Sequence, residues 1–250
     1  RTFTGPVPGK QLKNYAAKGV DTYHEHARFA GPNSLELERS GIIEATNVLI
    51  AAGARPVPLG FPGEEHLMDN EGFLELDELP ARIVMVGGGY IGLELGCVWR
   101  RLGAEVTVVE YLDRICPGLD DDTAKVFQRS LTKQGFKFQL GAKVTGAKAS
   151  AKGVALTVEP VAGGEAQTMS ADYVLVAIGR RPFTEGLGLD TVGITPDKRG
   201  MIANDHFKTS APGVWVIGDV TSGPMLAHKA EEDAVAAIEL IAGKPGHVDY

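Results

Sequence analysis

The segment from residue 81 to residue 110 constrains the fold of this chain more than any other. Residues 81–86 (ARIVMV) are apolar except for Arg82, and residues 84–92 read VMVGGGYIG. Apolar residues then recur at helical spacing over residues 90–102. Gly103 ends this helix, and a β-branched strand over residues 105–109 is closed by Glu110. The sequence therefore predicts a strand, a glycine turn, a helix and a second parallel strand, which is the opening unit of a Rossmann-like α/β domain.

The glycines of this turn fit the spacing G-x-G-x-x-G, and each has a separate physical role. Gly87 permits the tight turn out of the strand, Gly89 lets the backbone approach a pyrophosphate, and Gly92 lets the helix pack close to the sheet. A diphosphate would then face the unpaired N–H groups at the helix N-terminus, where the helix dipole is positive. The motif predicts a dinucleotide site, against the alternative of a glycine turn that only packs.

Glu110 predicts which dinucleotide is bound. It lies about 20 residues beyond the turn, at the position where an acid accepts a hydrogen bond from the adenosine ribose 2′-OH. An acid there repels a 2′-phosphate, and neither Tyr111 nor Pro117 nearby is basic. The sequence therefore favours NAD over NADP.

The rest of the chain continues the α/β pattern. A second helix is predicted from the acidic run at 120–122 to Gly135, followed by a short strand. Alternation and the Gly163-Gly164 pair predict an antiparallel meander. The predicted ranges are 136–140 for the strand, 143–172 for the meander, 213–217 for a last strand and 224–242 for a last helix that has Pro224 in its first turn.

Two segments resemble each other. Residues 47–56 (NVLIAAGARP) and 173–182 (YVLVAIGRRP) both read as a buried strand that ends in Gly and is stopped by a basic residue and Pro. They indicate two related sheet domains or one unit used twice, with chance similarity of apolar strands as the alternative. We place domain boundaries near residues 79–80 and after residue 182, which gives segments 1–79, 80–182 and 183–250.

Composition excludes several function classes. Lys and Arg number 25 and Asp and Glu 32, a net charge of −7 that disfavours nucleic acid or an anionic membrane as partner. No apolar run reaches the length of a membrane span. The two cysteines are too few for a disulfide framework or a zinc site, so a reducing, cytoplasmic location is expected. The chain opens at Arg1 without a start Met, so we expect a processed protein or part of a longer one.

Histidines give no metal prediction. His24 and His26 flank Glu25, but no third ligand is near in sequence, and a solvated strand face is the preferred interpretation. We therefore predict no metal site.

A second nucleotide-binding feature lies near the end of the chain. Residues 216–219 close a strand with Gly-Asp, and the Asp219 carboxylate can accept hydrogen bonds from a polyol such as the ribityl chain of a flavin. The helix that follows, which contains His228, offers free N–H groups that would stabilise negative charge on a reduced flavin ring. A turn without a ligand is the alternative for Gly-Asp taken by itself.

Four motifs together resemble a known family, the FAD-dependent pyridine nucleotide–disulfide oxidoreductases, and within it the dihydrolipoamide dehydrogenase type. They are residues 92–96 (GLELG), 109–115 (VEYLDRI), 217–220 (IGDV) and 223–231 (GPMLAHKAE). The match is close over residues 80–250, whereas residues 1–79 look as much like the glutathione-reductase type. The resemblance implies a Rossmann-like NAD-binding domain, a three-layer parallel sheet with an antiparallel meander, inserted in a partial FAD-binding domain of related fold.

The resemblance also implies site residues. Tyr90 stands where some members have an aromatic lid over the flavin, and Glu94 where an acid pairs with a lysine beside it. The family usually has hydroxyl side chains around Gly53, so only backbone contacts would remain there. The implied NAD contacts are Gly87, Gly88, Gly89, Tyr90, Ile91, Gly92, Glu94, Glu110, Val144 and Gly179. The implied FAD contacts are Ala52, Gly53, Ala54, Asp219, Met225, Leu226, Ala227 and His228.

The implied function is electron transfer between NAD(H) and a dithiol or disulfide through FAD, with 2-oxo acid dehydrogenase components as partners of the full-length protein. The chain departs from the family in lacking the first FAD-binding turn, the C-x-x-x-x-C redox pair and the dimerisation domain that supplies a His–Glu pair. Cys97 and Cys116 are read as bystander thiols, so we predict that this chain alone reduces no lipoamide. The alternatives are a disulfide reductase of glutathione or mercuric-ion type and a non-catalytic NAD-binding module.

Overall fold

The computed structural model describes residues 3–150 and 152–249. The chain forms two compact units, one made of Arg1–Ala54 with Pro182–Tyr250 and the other of Arg55–Arg181. We call the first the discontinuous unit and the second the inserted unit. A continuous unit set within an interrupted one agrees with the predicted arrangement.

The first boundary differs from the one placed by sequence at residues 79–80. Residues 55–79 belong to the inserted unit, because Phe73 is fully buried in its core and packs edge-to-face on Trp99 with ring centroids 5.3 Å apart. Met68 also hydrogen-bonds along the last strand of that unit, donating to Val174 O at 2.9 Å and accepting from Val176 N at 2.7 Å. The predicted boundary therefore falls inside a packed unit, whereas the second division, at Arg181–Pro182, lies next to the predicted one.

The first part of the discontinuous unit contains a helix and a small antiparallel sheet of order β1-β2-β3 that the sequence did not predict. The helix buries none of its residues and strand β3 is largely exposed, so neither carries a periodic apolar signal. His24 and His26 lie in irregular chain just before β1, which corrects the prediction of a strand face. The elements are α1 (Val7–Ala17), β1 (Ala27–Gly31), β2 (Ser34–Leu37), β3 (Gly41–Glu44), β4 (Val48–Ile50) and the connecting strand β5 (Ala54–Pro56).

The inserted unit contains the predicted α/β segment, and α3 and β7 have the predicted bounds. Its elements in chain order are α2 (Asn70–Leu74), β6 (Arg82–Val86), α3 (Tyr90–Leu102), β7 (Glu105–Val109), α4 (Asp121–Lys133), β8 (Lys137–Gln139), β9 (Ala142–Ser150), β10 (Gly153–Pro160), β11 (Gln167–Ala171) and β12 (Tyr173–Val176).

A four-stranded parallel sheet of order β12-β6-β7-β8 forms the middle layer of this unit. Alternate residues of β6 face opposite sides: Ile83 and Met85 pack with the helices, whereas Val84 and Val86 pack with the meander. Because both faces are covered, the strand reads as a continuous apolar run. The unit is thus built of helices, parallel sheet and antiparallel sheet, as predicted.

The meander of the third layer has the order β11-β10-β9. Its connection between β10 and β11 contains Gly163 and Gly164, where the sequence predicted a turn, and both have positive φ. Leu156 and Val158 of β10 are completely buried against the parallel sheet.

The register of the parallel sheet places the site. Val176, Val86, Val109 and Gln139 are Cα partners across β12, β6, β7 and β8. Since these are the last residues of their strands, the segments that follow them emerge side by side at one edge. Ligands of open α/β sheets bind at this carboxyl edge.

The last part of the chain returns to the discontinuous unit through β13 (Arg180–Pro182), β14 (Val214–Val216) and α5 (Ala227–Ile241). Strand β14 pairs in parallel with β4, Val214 with Val48 and Val216 with Ile50. The helix predicted from Pro224 starts three residues later, because Leu226 is extended and forms its N-cap. Among the described residues, no helix combines the length and the apolar character needed to cross a bilayer.

The two similar segments are β4 and β12, and each is one strand of a parallel pair. Gly53 and Gly179, which follow them, both have positive φ, 72° and 128°. The basic residue and Pro do not stop these strands as predicted, because β4 and β12 already end at Ile50 and Val176. The basic residue and Pro lie instead in the separate short strands β5 and β13.

Candidate functional site

The turn between β6 and α3 requires glycine at its first and last consensus positions. Gly87 has φ 108°, and a Cβ on it would collide with the carbonyl oxygen of Ala177. A Cβ on Gly92 would lie 2.9 Å from Gly87 O and 3.3 Å from the Ala177 side chain. These two glycines therefore permit the turn and the close packing of helix on sheet that the sequence predicted.

Gly89 differs from both. A Cβ on Gly89 would meet no protein atom within 4 Å, and its φ of −79° is open to any residue. Nothing in the protein requires glycine there. A glycine that faces open space at a helix start is suited to the close approach of a ligand.

The N-terminus of α3 has no side-chain cap. Its N-cap is Gly89, whereas the Asp120 carboxylate caps α4 by accepting from Asp122 N at 3.1 Å and Thr123 N at 3.0 Å. The first N–H groups of a helix have no partners within it. At α3 they remain available to an anion, which the helix dipole also favours.

Glu110 follows β7 and is 8% exposed. One carboxylate oxygen accepts the Gly88 N–H at 2.5 Å and the other accepts the Leu112 N–H at 2.8 Å. Each carboxylate oxygen has two lone-pair sites, so both retain capacity for a further donor such as a ribose hydroxyl.

These residues border a cleft of about 530 Å³ within the inserted unit. Of the predicted NAD contacts, seven line it and three do not. Gly88 and Gly92 lie in its supporting backbone, and Glu94 is exposed one turn further along α3. The predicted residues on the wall are Gly87, Gly89, Tyr90, Ile91, Glu110, Val144 and Gly179.

The lining of the cleft also includes residues that the sequence did not predict as nucleotide contacts. Tyr111, Leu112 and Pro117 form an apolar stretch of its lining, and Leu59 comes from the segment that the sequence assigned to another domain. Because the lining of the cleft is mostly apolar and includes one buried carboxylate, it suits a flat aromatic base beside a ribose.

Lys143 corrects one step of the sequence argument. The expectation that no basic residue lies near Glu110 was based on Tyr111 and Pro117, but Lys143 lines the same cleft and pairs with Glu159 at 3.4 Å. Ala142 N donates to Glu110 O at 3.0 Å, which brings the start of β9 beside Glu110. Lys143 is close to Glu110 only because β9 starts beside the end of β7, and the sequence carries no sign of this contact.

The predicted FAD contacts lie in the discontinuous unit. Residues 52–54 follow β4 and are half-buried, and Gly53 has φ 72°. Asp219 is half-buried in a short 3-10 turn after β14. Met225, Leu226, Ala227 and His228 surround the start of α5, which has no side-chain cap either.

A buried ion pair that the sequence analysis missed supports this second region. Lys229 Nζ lies 2.7 Å from Asp233 Oδ2, and the same oxygen accepts the Gly218 N–H at 2.9 Å. The spacing i, i+4 on a helix was a possible signal, but it is more typical of exposed pairs. In this protein the buried ion pair holds Gly218, the residue before Asp219, in place.

Neither cysteine is activated, and the acid between His24 and His26 has local hydrogen-bond partners. Burial raises the pKa of Cys97 and of Cys116, which keeps both thiols protonated. A hydrogen bond from Ser40, helped by the backbone N–H groups of Arg39 and Ser40, lowers the pKa of Glu25 beside His24. Within residues 3–150 and 152–249, no group of three metal-ligating side chains occurs.

Comparison with known proteins gives one family. The family model described as pyridine nucleotide-disulphide oxidoreductase matches residues 8–234. Dihydrolipoyl dehydrogenase 3 of Pseudomonas putida is 60% identical over 212 residues, 83% of this chain and 45% of that protein. The mitochondrial dihydrolipoyl dehydrogenase of Pisum sativum is 48% identical over 232 residues, 90% of this chain and 46% of that protein.

Solved structures agree with this. The HOCl-induced flavoprotein disulfide reductase RclA from Escherichia coli superimposes with a TM-score of 0.88 at 28% identity, covering 96% of this chain and 55% of the other. The chain thus spans about half the length of the relatives that it matches.

Proposed function

Because this chain belongs to the pyridine nucleotide-disulphide oxidoreductase family, we propose that its inserted unit binds NAD within a protein that transfers electrons between NAD(H) and a dithiol or disulfide through FAD. The dihydrolipoamide dehydrogenase type is favoured, since relatives of that name reach 60% identity whereas the superimposed reductase RclA is 28% identical. The discontinuous unit is the proposed contributor to FAD binding.

The observation that carries the NAD proposal is the uncapped start of α3 behind Gly89. Two other helices of the inserted unit, α2 and α4, have aspartate caps, so the exception coincides with the cleft. The open space at Gly89 fits a pyrophosphate and Glu110 fits a ribose hydroxyl. The residues present therefore fit a dinucleotide with an unmodified ribose.

The fit to FAD is partial. Asp219 and the free N–H groups at the start of α5 suit a polyol and a negatively polarised ring, but Ala52 and Ala54 offer no hydroxyl. When bound, NADH would supply a hydride and FAD would accept its two electrons, while the residues of this chain would bind and orient both groups. In this assignment Tyr90, half-exposed at the cleft, shields the nicotinamide end.

The whole-protein activity needs groups that this sequence does not contain. Its two cysteines are not spaced as C-x-x-x-x-C, and burial raises the pKa of both. Homodimerisation and binding to 2-oxo acid dehydrogenase components are proposed for the full-length protein only. A cytoplasmic location remains a prediction, because relatives include both bacterial and mitochondrial proteins.

Titration with NADH, followed by its fluorescence, tests the proposal. We expect a saturable increase below about 1 mM, the upper end of ordinary cofactor and substrate affinities. NADPH is the matched control, and it should bind more weakly because its 2′-phosphate meets the buried Glu110 carboxylate. A folded protein that gives no saturable NADH signal contradicts the proposal.

Two further measurements separate the whole-protein activity from nucleotide binding. Flavin absorption in the purified chain, or after addition of FAD, tests the role of the discontinuous unit. The chain alone should not turn over lipoamide with NADH, since no redox pair is present. Turnover at a rate typical of an enzyme would assign the redox chemistry to Cys97 or Cys116 and contradict this assignment.

A further inference from the structure

The peptide of Gly88, in the middle of the glycine turn, is held at both ends. Its N–H donates to Glu110 Oε2 at 2.5 Å, and its carbonyl oxygen accepts the Cys116 N–H at 2.9 Å. Cys116 adopts φ 46°, a left-handed conformation that costs energy for a residue with a side chain. Both contacts come from the segment that follows β7.

Four hydrogen bonds hold Glu110 in place, and one of them is the bond that its carboxylate accepts from the Gly88 N–H. Its backbone N–H donates to Gln139 O at 3.0 Å, its carbonyl accepts Ala142 N at 3.0 Å, and its second carboxylate oxygen accepts Leu112 N at 2.8 Å. A Cβ on Gly88 would lie 3.1 Å from the carboxylate, so side chain and turn are in close contact. The carboxylate therefore has one well-defined position, directed at the glycine turn.

We propose that Glu110 is a positioning residue for the phosphate-binding turn, acting through Gly88, in addition to its proposed contact with the ribose. This inference rests on the proposed binding of NAD. The carboxylate holds the Gly88 N–H turned toward β7, which sets the direction of the next peptides and leaves the N–H groups of the first turn of α3 for the diphosphate. A charged acceptor suits this role because hydrogen bonds to carboxylates are stronger than neutral ones.

Conservative replacements at residue 110 would lose this arrangement. Glutamine has a single acceptor oxygen, so it can serve Gly88 or Leu112 but presents an N–H₂ group to the other N–H. Aspartate keeps the charge but is one methylene shorter, so it cannot reach both donors from the same backbone position. The two variants separate the loss of charge from the loss of reach.

Binding of ADP and of 2′-deoxy-ADP, each measured by competition with NADH, distinguishes the two roles of Glu110. A residue that acts only on the ribose 2′-OH affects ADP alone. Its removal would leave the binding of 2′-deoxy-ADP unchanged, or strengthen it because a negative charge near the phosphates is gone. A residue that shapes the turn affects both nucleotides.

We expect Glu110→Gln to weaken the binding of 2′-deoxy-ADP by about three- to tenfold, the range of one hydrogen bond of ordinary net strength, because the residue acts on this nucleotide only through the turn. Glu110→Asp should weaken it similarly, which keeps the test available if the Gln variant folds poorly. Glu105→Gln is the control, because Glu105 lies on the same strand, is exposed and pairs with Lys137 at 3.0 Å away from the turn. Glu105→Gln should leave the affinity for both nucleotides unchanged.

The Gly88 amide proton supplies a second readout in spectra of ¹⁵N-glycine-labelled protein. Its bond to a carboxylate should place it at low field, and Glu110→Gln should move it upfield. Unchanged or tighter binding of 2′-deoxy-ADP in both variants would overturn the positioning role while NADH binding by the unmodified chain keeps the proposed function. If the unmodified folded chain binds no NADH, the proposed function fails and the inference fails with it.

Discussion

The ammonium group of Lys229 lies 2.7 Å from the carboxylate of Asp233, and their side chains are only 6% and 1% exposed. Both groups also bind Gly218, whose N–H donates to Asp233 at 2.9 Å and whose carbonyl oxygen accepts from Lys229 at 3.2 Å. Gly218 has φ 69° and precedes Asp219. One buried ion pair thus sets the turn that presents the proposed flavin contact.

Removing one partner of this pair should destabilise the discontinuous unit. Lys229→Met leaves the Asp233 carboxylate buried without its cation, and a broken buried pair costs about 3–5 kcal/mol. The double variant Lys229→Met with Asp233→Leu should lose less, because it leaves no buried charge. Urea unfolding followed by the fluorescence of Trp215, with Trp99 replaced by Phe in every variant, measures the difference.

The control for this pair is Lys125→Met. Lys125 and Asp122 form an exposed i, i+3 pair at 3.5 Å, which should contribute about 0–1 kcal/mol. Equal effects of the two lysine substitutions would show that the buried pair has no special role.

The sequence predicted the parts of the fold that local patterns determine. The bounds of α3 and β7 follow from apolar periodicity, a glycine stop and a β-branched run. Residues 55–79 were assigned to the wrong domain because a stretch of very short elements carries no local sign of the core into which Phe73 packs. The exposed α1 left no apolar face to detect.

In the candidate site, too, the sequence predicted only those residues that a local pattern determines. The glycine turn and Glu110 have a fixed spacing that reflects geometry within one strand–helix–strand unit, so they were found. Lys143 reaches the cleft only because β9 begins beside Glu110, a long-range pairing that no spacing encodes. Lys229 and Asp233 were missed because their helical spacing is the same whether a pair is buried or solvated.

Acid should weaken the inserted unit through Asp172. Arg82 donates to this carboxylate from its side chain at 2.7 Å and from its backbone at 2.8 Å, and the side-chain bond lowers the pKa of Asp172. A folded pKa below the ordinary value of about 3.9 means that the stabilisation is complete above that value and is lost as the pH falls through the folded pKa.

Asp172→Asn therefore should be less stable than the unmodified chain near neutral pH and should approach it only as the pH falls below about 3.9. Chemical unfolding at several pH values tests this. Asp113→Asn, at an exposed position, serves as the control. A difference for Asp172→Asn that stays constant down to the lowest pH would contradict the role assigned to the ion pair.

Both thiols should be unreactive in the folded chain. Burial raises the pKa of Cys97 despite the favourable charge of Arg101, and burial together with the Glu110 carboxylate raises the pKa of Cys116. Because the thiolate is the reacting form, modification by an aromatic disulfide reagent near neutral pH should be slow and should speed up in urea. The single variants Cys97→Ser and Cys116→Ser identify each thiol, and fast reaction of either in the native chain would indicate an activated cysteine.

Two glycine substitutions should separate folding from nucleotide binding. A methyl group at Gly92 would lie 2.9 Å from Gly87 O, so Gly92→Ala must shift backbone and should destabilise the inserted unit by about 1–3 kcal/mol. A methyl group at Gly89 meets no protein atom within 4 Å, so Gly89→Ala should unfold like the unmodified chain.

Binding should respond in a different pattern. The Gly89 methyl group occupies the space assigned to the diphosphate, so NADH affinity should fall at least about tenfold, equivalent to about 1.4 kcal/mol, with no change in unfolding temperature. Gly103→Ala is unsuited as a control because Gly103 is at positive φ, whereas Gly118→Ala places a methyl group in open space in the loop that follows Pro117. If Gly89→Ala and Gly118→Ala bound NADH equally well, the diphosphate could not lie against the start of α3, because the Cβ of residue 89 and the phosphate oxygens would need the same volume.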